Sequence, residues 1–279
     1  MRLAAPVVVV VVVFAALLAS RGGNSNKPAA GSPDMGSTGS APAPAAVVDA
    51  VTHVPASALD SAAVPSVAPS PQVPKGASPM TSGGKPVVFY DGAEFCPMCA
   101  AQRWPMTVAL SRFGTFSGLR ISYSSTTDSY PATRTLSYYK STYTSPYLVF
   151  EPVEETTNIP SGSGGGYTHL ESVTPEQRQV LDKYDQPPYS GLAYGIPFVW
   201  FGGHYLMSGP SYDPVVLQGK SWTDISGSLA NPSQSAAAQA IDGVANQITA
   251  TICRITGDQP ADVCSSPGVV KAASTVPKG

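Results

Sequence analysis

The stretch PVVFYDGAEFCPMC, residues 86–99, joins an apolar segment to a Cys-x-x-Cys motif. Residues 86–90 favour a buried strand, and the residues that follow Cys99 have a helical pattern. Both cysteines therefore lie at a helix N-terminus, where unpaired N–H groups and the helix dipole stabilise a thiolate and lower its pKa. Because Cys96 and Cys99 are one helical turn apart, they can form a short disulfide. The pattern predicts a redox centre.

The N-terminal part of the chain predicts targeting and linker segments. Residues 1–20 contain Arg2 and an apolar run with seven consecutive valines, which is typical of a signal peptide or a signal anchor. Residues 21–84 are rich in Ala, Pro, Ser and Gly, and this composition predicts a disordered linker. We expect a single folded domain at 85–267 and a flexible tail at 268–279. This organisation predicts an extracytoplasmic protein, either secreted or held at the membrane by an uncleaved N-terminal segment.

The composition argues against nucleic-acid binding. Charged residues make up 12% of the chain and the formal net charge is -2, so the basic surface that nucleic-acid binding requires is not expected.

The order of elements after the motif predicts a fold class. A second strand is expected at 119–123 and extended segments within 135–150. Thr174 and Gln177 predict a capped helix that ends near residue 184. A hairpin is expected from 196–201 and 204–207, and a closing helix at 232–256. This succession indicates an α/β domain with a mixed sheet.

Several of these segments resemble the thioredoxin-like superfamily. The residues 93–99 after an apolar strand resemble the thioredoxin active site, and Pro105 resembles the proline of its active-site helix. Ile196-Pro197-Phe198 resembles the cis-proline element that faces the cysteines in that fold. Residues 96–118, together with Ile196–Phe198 and the segments around Cys253 and Cys264, more closely resemble a prokaryotic thioredoxin-like family of unassigned function. The resemblance implies a central mixed sheet flanked by helices, with an insertion before the cis-proline hairpin.

The resemblance also implies thiol–disulfide exchange with client proteins that carry thiols or disulfides. Cys96 would be the exposed nucleophile that forms a mixed disulfide, and Cys99 would resolve it. Pro197, if cis, would present the backbone at Ile196 to an extended client, and Phe95 would contribute to client binding. No dissociable cofactor is implied, because the electrons reside in the cysteine pair. A membrane-bound or soluble redox partner would renew that pair.

One position departs from the thioredoxin pattern. Thioredoxins commonly carry a buried acid six residues before the first cysteine, and here that position is Tyr90. Asp91 and Glu94 lie nearby. The departure argues against efficient disulfide reduction, and it fits an oxidase, an isomerase or a client-specific role at least as well.

Cys253 and Cys264 are interpreted as a structural disulfide, with a second redox pair as the alternative. We predict no metal site, since zinc would need two more ligands near Cys96 and Cys99, and neither His169 nor His204 has a partner at ligand spacing. A binding or scaffold protein without catalysis, and a Cu(I) metallochaperone, remain as alternative functions.

Overall fold

The computed structural model describes residues 33–66, 68–162 and 165–278. All described residues belong to one compact unit, Pro33–Gly279. The predicted signal segment 1–20 and the first part of the predicted linker lie outside the described residues. Within the described part of the chain, no helix has the length and apolar character needed to cross a membrane.

The described residues form eight α-helices and twelve strands. The helices are α1 (Ala45–Thr52), α2 (Ala56–Ser61), α3 (Pro97–Ser111), α4 (Pro175–Tyr184), α5 (Trp222–Ser228), α6 (Ala236–Ile255), α7 (Ala261–Cys264) and α8 (Pro267–Ala272). The strands are β1 (Ser40–Pro42), β2 (Thr81–Ser82), β3 (Lys85–Gly92), β4 (Thr115–Ser117), β5 (Arg120–Tyr123), β6 (Arg134–Ser137), β7 (Thr142–Thr144), β8 (Val149–Glu154), β9 (Thr156–Pro160), β10 (Tyr167–His169), β11 (Phe198–Phe201) and β12 (Tyr205–Ser208).

A mixed sheet lies at the centre of the domain, as the sequence predicts. Its main strands follow the order β12–β11–β3–β8, and β2 pairs with the start of β3. Strand β8 runs parallel to β3, whereas β11 is antiparallel to both β3 and β12. Three smaller sheets pair β1–β5–β6, β4–β7 and β9–β10. The parallel pair brings the ends of β3 and β8 to the same edge of the sheet, where the Cys-x-x-Cys segment begins.

Both faces of the central sheet are covered, because its strands are apolar on both sides. Val88 and Tyr90 belong to the larger buried cluster, which includes residues of α3 and α6. Val87 and Phe89 belong to a second cluster, which includes residues of α4. This alternation follows from the two-residue period of a strand. The two helical layers hold the strands that carry the site.

Local sequence signals fix the helix starts. The predicted capping box of α4 is present, with Thr174 accepting from the backbone N–H of Gln177 and Gln177 accepting from that of Thr174. Helix α3 begins at Pro97 rather than at Cys99, because Cys96 acts as its N-cap and proline suits the first helical position. Pro105 lies inside this helix.

The prediction of a disordered linker is wrong for the described residues between 33 and 84. Val47 and Val51 of α1 and Leu59 of α2 are buried in the larger cluster. Gln72 exchanges two backbone hydrogen bonds with Leu206, which covers the β12 edge of the sheet. The few apolar side chains of this segment cannot form a core alone, but they complete the core of the domain. The folded unit therefore begins at least as early as Pro33 rather than at residue 85.

The prediction of a flexible tail at 268–279 is also wrong for the described residues. Helix α8 and a following 3₁₀ turn bring Val269, Ala272 and Val276 into the core, each no more than 5% exposed. These apolar residues recur at helical spacing, so the last segment packs rather than leaving the surface.

Candidate redox site

Cys96 and Cys99 lie where β3 passes into α3. Cys96 caps the helix, and its Sγ accepts a hydrogen bond of 3.2 Å from the backbone N–H of Cys99. Both cysteines are free thiols. Cys96 is only 6% exposed and Cys99 is fully buried. The expected exposed nucleophile is therefore largely covered in this conformation, in which its sulfur contacts the backbone carbonyl of Ile196.

The two thiols have opposite electrostatic surroundings. The hydrogen bond with the Cys99 side chain is the main cause that lowers the pKa of Cys96, and the Cys99 N–H and Arg103 add to it against the effect of burial. Burial raises the pKa of Cys99 well above its ordinary value. Cys96 is therefore the thiol that ionises first, as expected for a cysteine at a helix N-terminus.

The segment at Ile196 and Pro197 faces the first cysteine. The peptide bond between these two residues is cis. The Cys96 thiol donates to the carbonyl of Ile196, with 3.8 Å between sulfur and oxygen. The carbonyl of Pro197 accepts from the N–H of Gly209 instead. Since Phe198 pairs with Asp91 at the end of β3, the sheet register holds this segment beside the cysteine loop.

Phe95, which we expected to contact a client, packs against an aromatic residue of this chain. Its ring stacks on that of Tyr167 in β10, with centroids 4.3 Å apart and planes 7° apart. The backbone carbonyl of Phe95 accepts from Ser125. Phe95 is half-buried, so one part of its surface remains available beside Cys96.

A buried ion pair lies behind the cysteine loop, and sequence reasoning missed it. Arg103 Nε donates to Glu154 Oε1 at 2.8 Å, and Nη2 donates to Glu154 Oε2 at 2.5 Å. Nη2 also donates to the carbonyl of Ala93 at 2.8 Å. Both side chains are completely buried. A basic residue one turn after Cys99 on an apolar helix is the sequence signal, but its partner is 51 residues away.

Two buried acids lie near the motif on different sides of the sheet. Glu94 accepts from Ser137, while its Oε2 has no hydrogen-bond partner among the described residues. Burial, followed by the charge of Glu154, raises the pKa of Glu94 to about 7. Burial, followed by Glu155 and Asp185, raises the pKa of Asp91 to about 8. Tyr90 faces the α3 layer, with the guanidinium of Arg103 5.9 Å from its ring centroid. Of these two acids, Glu94 therefore belongs to the buried group of charges that includes Arg103 and Glu154.

The predicted pairing of Cys253 with Cys264 is confirmed. They form a disulfide that links the end of α6 to α7, with Cα atoms 5.8 Å apart. Ile255, two residues after Cys253, lies beside Gly202 at the far end of β11. Five residues of extended chain from Pro197 to Gly202 span about 16 Å. The disulfide therefore lies at the opposite end of the sheet from Cys96.

In the described ranges, no three His, Cys, Asp or Glu side chains are grouped so that they could hold a metal ion. The chemistry that the site offers is that of two thiols with different acidities, a facing backbone carbonyl and a buried cation.

No curated protein and no solved structure matches the chain. A family model described as "Domain of unknown function (DUF929)" matches residues 73–254, which is well over half of the chain and includes three of its four cysteines. The chain therefore belongs to the family defined by this domain of unknown function, DUF929.

Proposed function

We propose that this protein is a thioredoxin-like thiol–disulfide oxidoreductase that exchanges disulfides with client proteins. One observation carries the proposal: Cys96 caps a helix, accepts from the N–H of Cys99, and faces the carbonyl of Ile196. A thiol with a lowered pKa is thereby paired with a buried thiol one turn away. This arrangement fits a nucleophile and a resolving cysteine.

The connectivity of the sheet supports a thioredoxin-like fold. Strand β3, helix α3 and the parallel strand β8 are followed by the antiparallel hairpin of β11 and β12 and the closing helix α6. We interpret the segments between β8 and β11, including β9, β10 and α4, as the proposed insertion before the cis-proline hairpin. The thioredoxin-like assignment rests on this order together with the position of the cysteines.

The proposed reaction begins with the thiolate of Cys96. It attacks a client disulfide and forms a mixed disulfide, and a client thiolate leaves. Cys99 then loses its proton, attacks Cys96 Sγ and releases the second client thiolate. The reverse sequence oxidises a client dithiol. An extended client is proposed to pair with the backbone at Ile196, while Phe95 contacts its side chains.

The compartment and the partners are proposed from chemistry. The Cys253–Cys264 disulfide fits an oxidising compartment, and the apolar run near the N-terminus fits export or membrane anchoring. The partners would be client proteins and a membrane-bound or soluble redox partner that renews the cysteine pair. The reaction needs no dissociable cofactor.

A trapping experiment tests the proposal. The Cys99→Ser variant is incubated with a peptide that contains a single disulfide, and we expect a covalent adduct at Cys96 that dithiothreitol releases. The matched Cys96→Ser variant should form no adduct. If neither variant is trapped and wild-type thiols do not exchange, a scaffold function replaces the enzyme. A reduced protein that binds one Cu(I) instead would favour the metallochaperone.

A further inference from the structure

A contribution to the stability of the fold does not by itself explain why Arg103 is buried beside the cysteine pair. The residue lies one helical turn after Cys99 on α3 and is completely buried. A buried ion pair is weak evidence for stability, because removing two charges from water costs about as much as their attraction returns. Arg103 Nη1 also has no hydrogen-bond partner in the described part of the chain, which adds to that cost. The neighbouring thiols are the groups on which this buried cation can act.

The contacts of Arg103 tie it to the cysteine loop. Its Nη2 donates to the carbonyl of Ala93, three residues before Cys96, and the same nitrogen contacts Glu154. Residues i and i+4 of a helix share a face, so Cys99 and Arg103 lie on the same side of α3. The bidentate contact with Glu154 holds the guanidinium plane in place. The cation is thus fixed at the base of the redox pair.

A fixed buried cation acts differently on the two redox states. When Cys96 is ionised, the reduced pair carries a negative charge, whereas the disulfide carries none. In a site of low dielectric constant, the cation stabilises the charged state more than the neutral one. Arg103 contributes to the lowered pKa of Cys96 after the hydrogen bonds from Cys99, and it opposes the rise that burial causes at Cys99.

We propose that Arg103 is a positioning residue whose charge stabilises the reduced Cys96/Cys99 pair and so directs the exchange toward the oxidation of client dithiols, with Glu154 moderating that charge. The inference rests on the proposed function and adds a direction of electron flow to it. Glu94, which lies in the same buried cluster, would add a second negative charge when it ionises.

The oxidation step balances without a further reagent in a single turnover. A client thiolate attacks Cys96 Sγ, the Cys96–Cys99 bond breaks, and Cys99 takes up a proton. The second client thiolate attacks the client sulfur of the mixed disulfide, and Cys96 leaves as a thiolate. The client loses two electrons and gains a disulfide, and one of its two protons goes to solvent. Another disulfide-bearing compound must reoxidise the pair for further turnovers.

The test uses two substitutions whose expected effects have opposite signs. The full-length protein is equilibrated with glutathione redox buffers, and the fraction of reduced Cys96/Cys99 is measured by alkylation. Arg103→Gln removes the cation, so we expect an about tenfold shift of the equilibrium toward the disulfide, or about 30 mV. Glu154→Gln leaves the cation uncompensated, and we expect a shift of similar size toward the dithiol.

Two further variants serve as controls. Arg103→Lys retains the charge and should stay within about threefold of the wild-type equilibrium. Arg112→Gln removes an arginine from the C-terminal end of the same helix, about 20 Å from Cys99, and should shift nothing. Circular dichroism checks that each variant is folded. If Arg103→Gln does not fold, Glu154→Gln and Arg103→Lys still carry the test.

The outcomes separate this inference from the proposed function. Opposite shifts for Arg103→Gln and Glu154→Gln support the inference. Shifts in the same direction, or shifts below twofold in both, overturn it while the exchange reaction stands. If wild-type Cys96 and Cys99 do not exchange at all, the proposed function itself fails.

Discussion

Cys96 and Cys99 lie one helical turn apart, yet their surroundings differ in hydrogen bonding and burial. Cys96 accepts a hydrogen bond from the backbone N–H of Cys99 and is slightly exposed to solvent. Cys99 is fully buried, and burial raises its pKa. At pH 7 we expect iodoacetamide to modify Cys96 at least about tenfold faster than Cys99 in the reduced protein. Peptide mapping by mass spectrometry measures both rates. Equal rates would contradict the assigned roles, and a Cys96→Ser variant serves as the control for reaction at Cys99.

At the scale of single residues, the sequence predicts the groups that belong to local motifs. The Cys-x-x-Cys, the Ile196–Pro197 segment and the cysteine pair 253/264 could be located because each is encoded within a few positions. Arg103 and Glu154 could not be paired in advance, because α3 and β8 bring them together from 51 residues apart. The burial of Cys96 was also missed, since it depends on the facing loop.

At the scale of elements, the segment before the motif is part of the fold. Leu59 of α2 is 3% exposed, and its carbonyl accepts from Asn246 of α6. We expect Leu59→Ala to lower the free energy of unfolding by roughly 2–4 kcal/mol. Denaturant unfolding measures the change, and Ser57→Ala on the exposed side of the same helix is the control. An effect of Leu59→Ala no larger than that of Ser57→Ala would mean that this segment does not pack on the domain.

The disulfide between α6 and α7 is a second feature at this scale. Because its two cysteines are 11 residues apart, the Cys253→Ala/Cys264→Ala double variant should lose roughly 2–3 kcal/mol of stability. Client exchange at Cys96 should stay intact, since the disulfide lies at the other end of β11. Loss of exchange in a variant that remains folded would instead favour a redox relay between the two pairs.

Elements with clear local sequence signals could be predicted from the sequence. Elements that are stable only when packed against the rest of the domain could not. The capping box of α4 and the hairpin of β11 and β12 follow from local signals. Helices α1, α2 and α8 have three or fewer buried residues each, so their composition resembles that of a linker. They fold because the larger cluster offers a surface to pack against.

At the scale of the whole molecule, several buried acids link stability to pH. Burial raises the pKa of Asp242 to about 8 and is the main cause of the raised values of Asp91 and Glu94. A carboxyl whose pKa is higher in the folded state favours folding below its unfolded pKa, and this contribution is lost as pH rises through the folded value. We therefore expect the stability to fall between about pH 5 and pH 8.

Asp242 gives the clearest test of this dependence, because neither of its oxygens has a hydrogen-bond partner among the residues described. Asp242→Asn removes the charge, so it should raise the free energy of unfolding at pH 8 by roughly 1–3 kcal/mol and change it little at pH 4. Thermal unfolding across pH measures both values. The exposed Asp258→Asn is the matched control. A gain of the same size at both pH values would contradict this explanation.

The proposed function requires reversible exchange at Cys96 and Cys99, and a redox titration of the full-length protein tests this exchange most directly. At each potential, alkylation and peptide mapping determine the state of all four cysteines. We predict that Cys96 and Cys99 titrate together as a reversible two-electron pair, with a midpoint less negative than about -230 mV, while Cys253–Cys264 stays oxidised. If Cys96 and Cys99 never exchange, or if they remain thiols only when metal is bound, the result contradicts the proposed thiol–disulfide exchange.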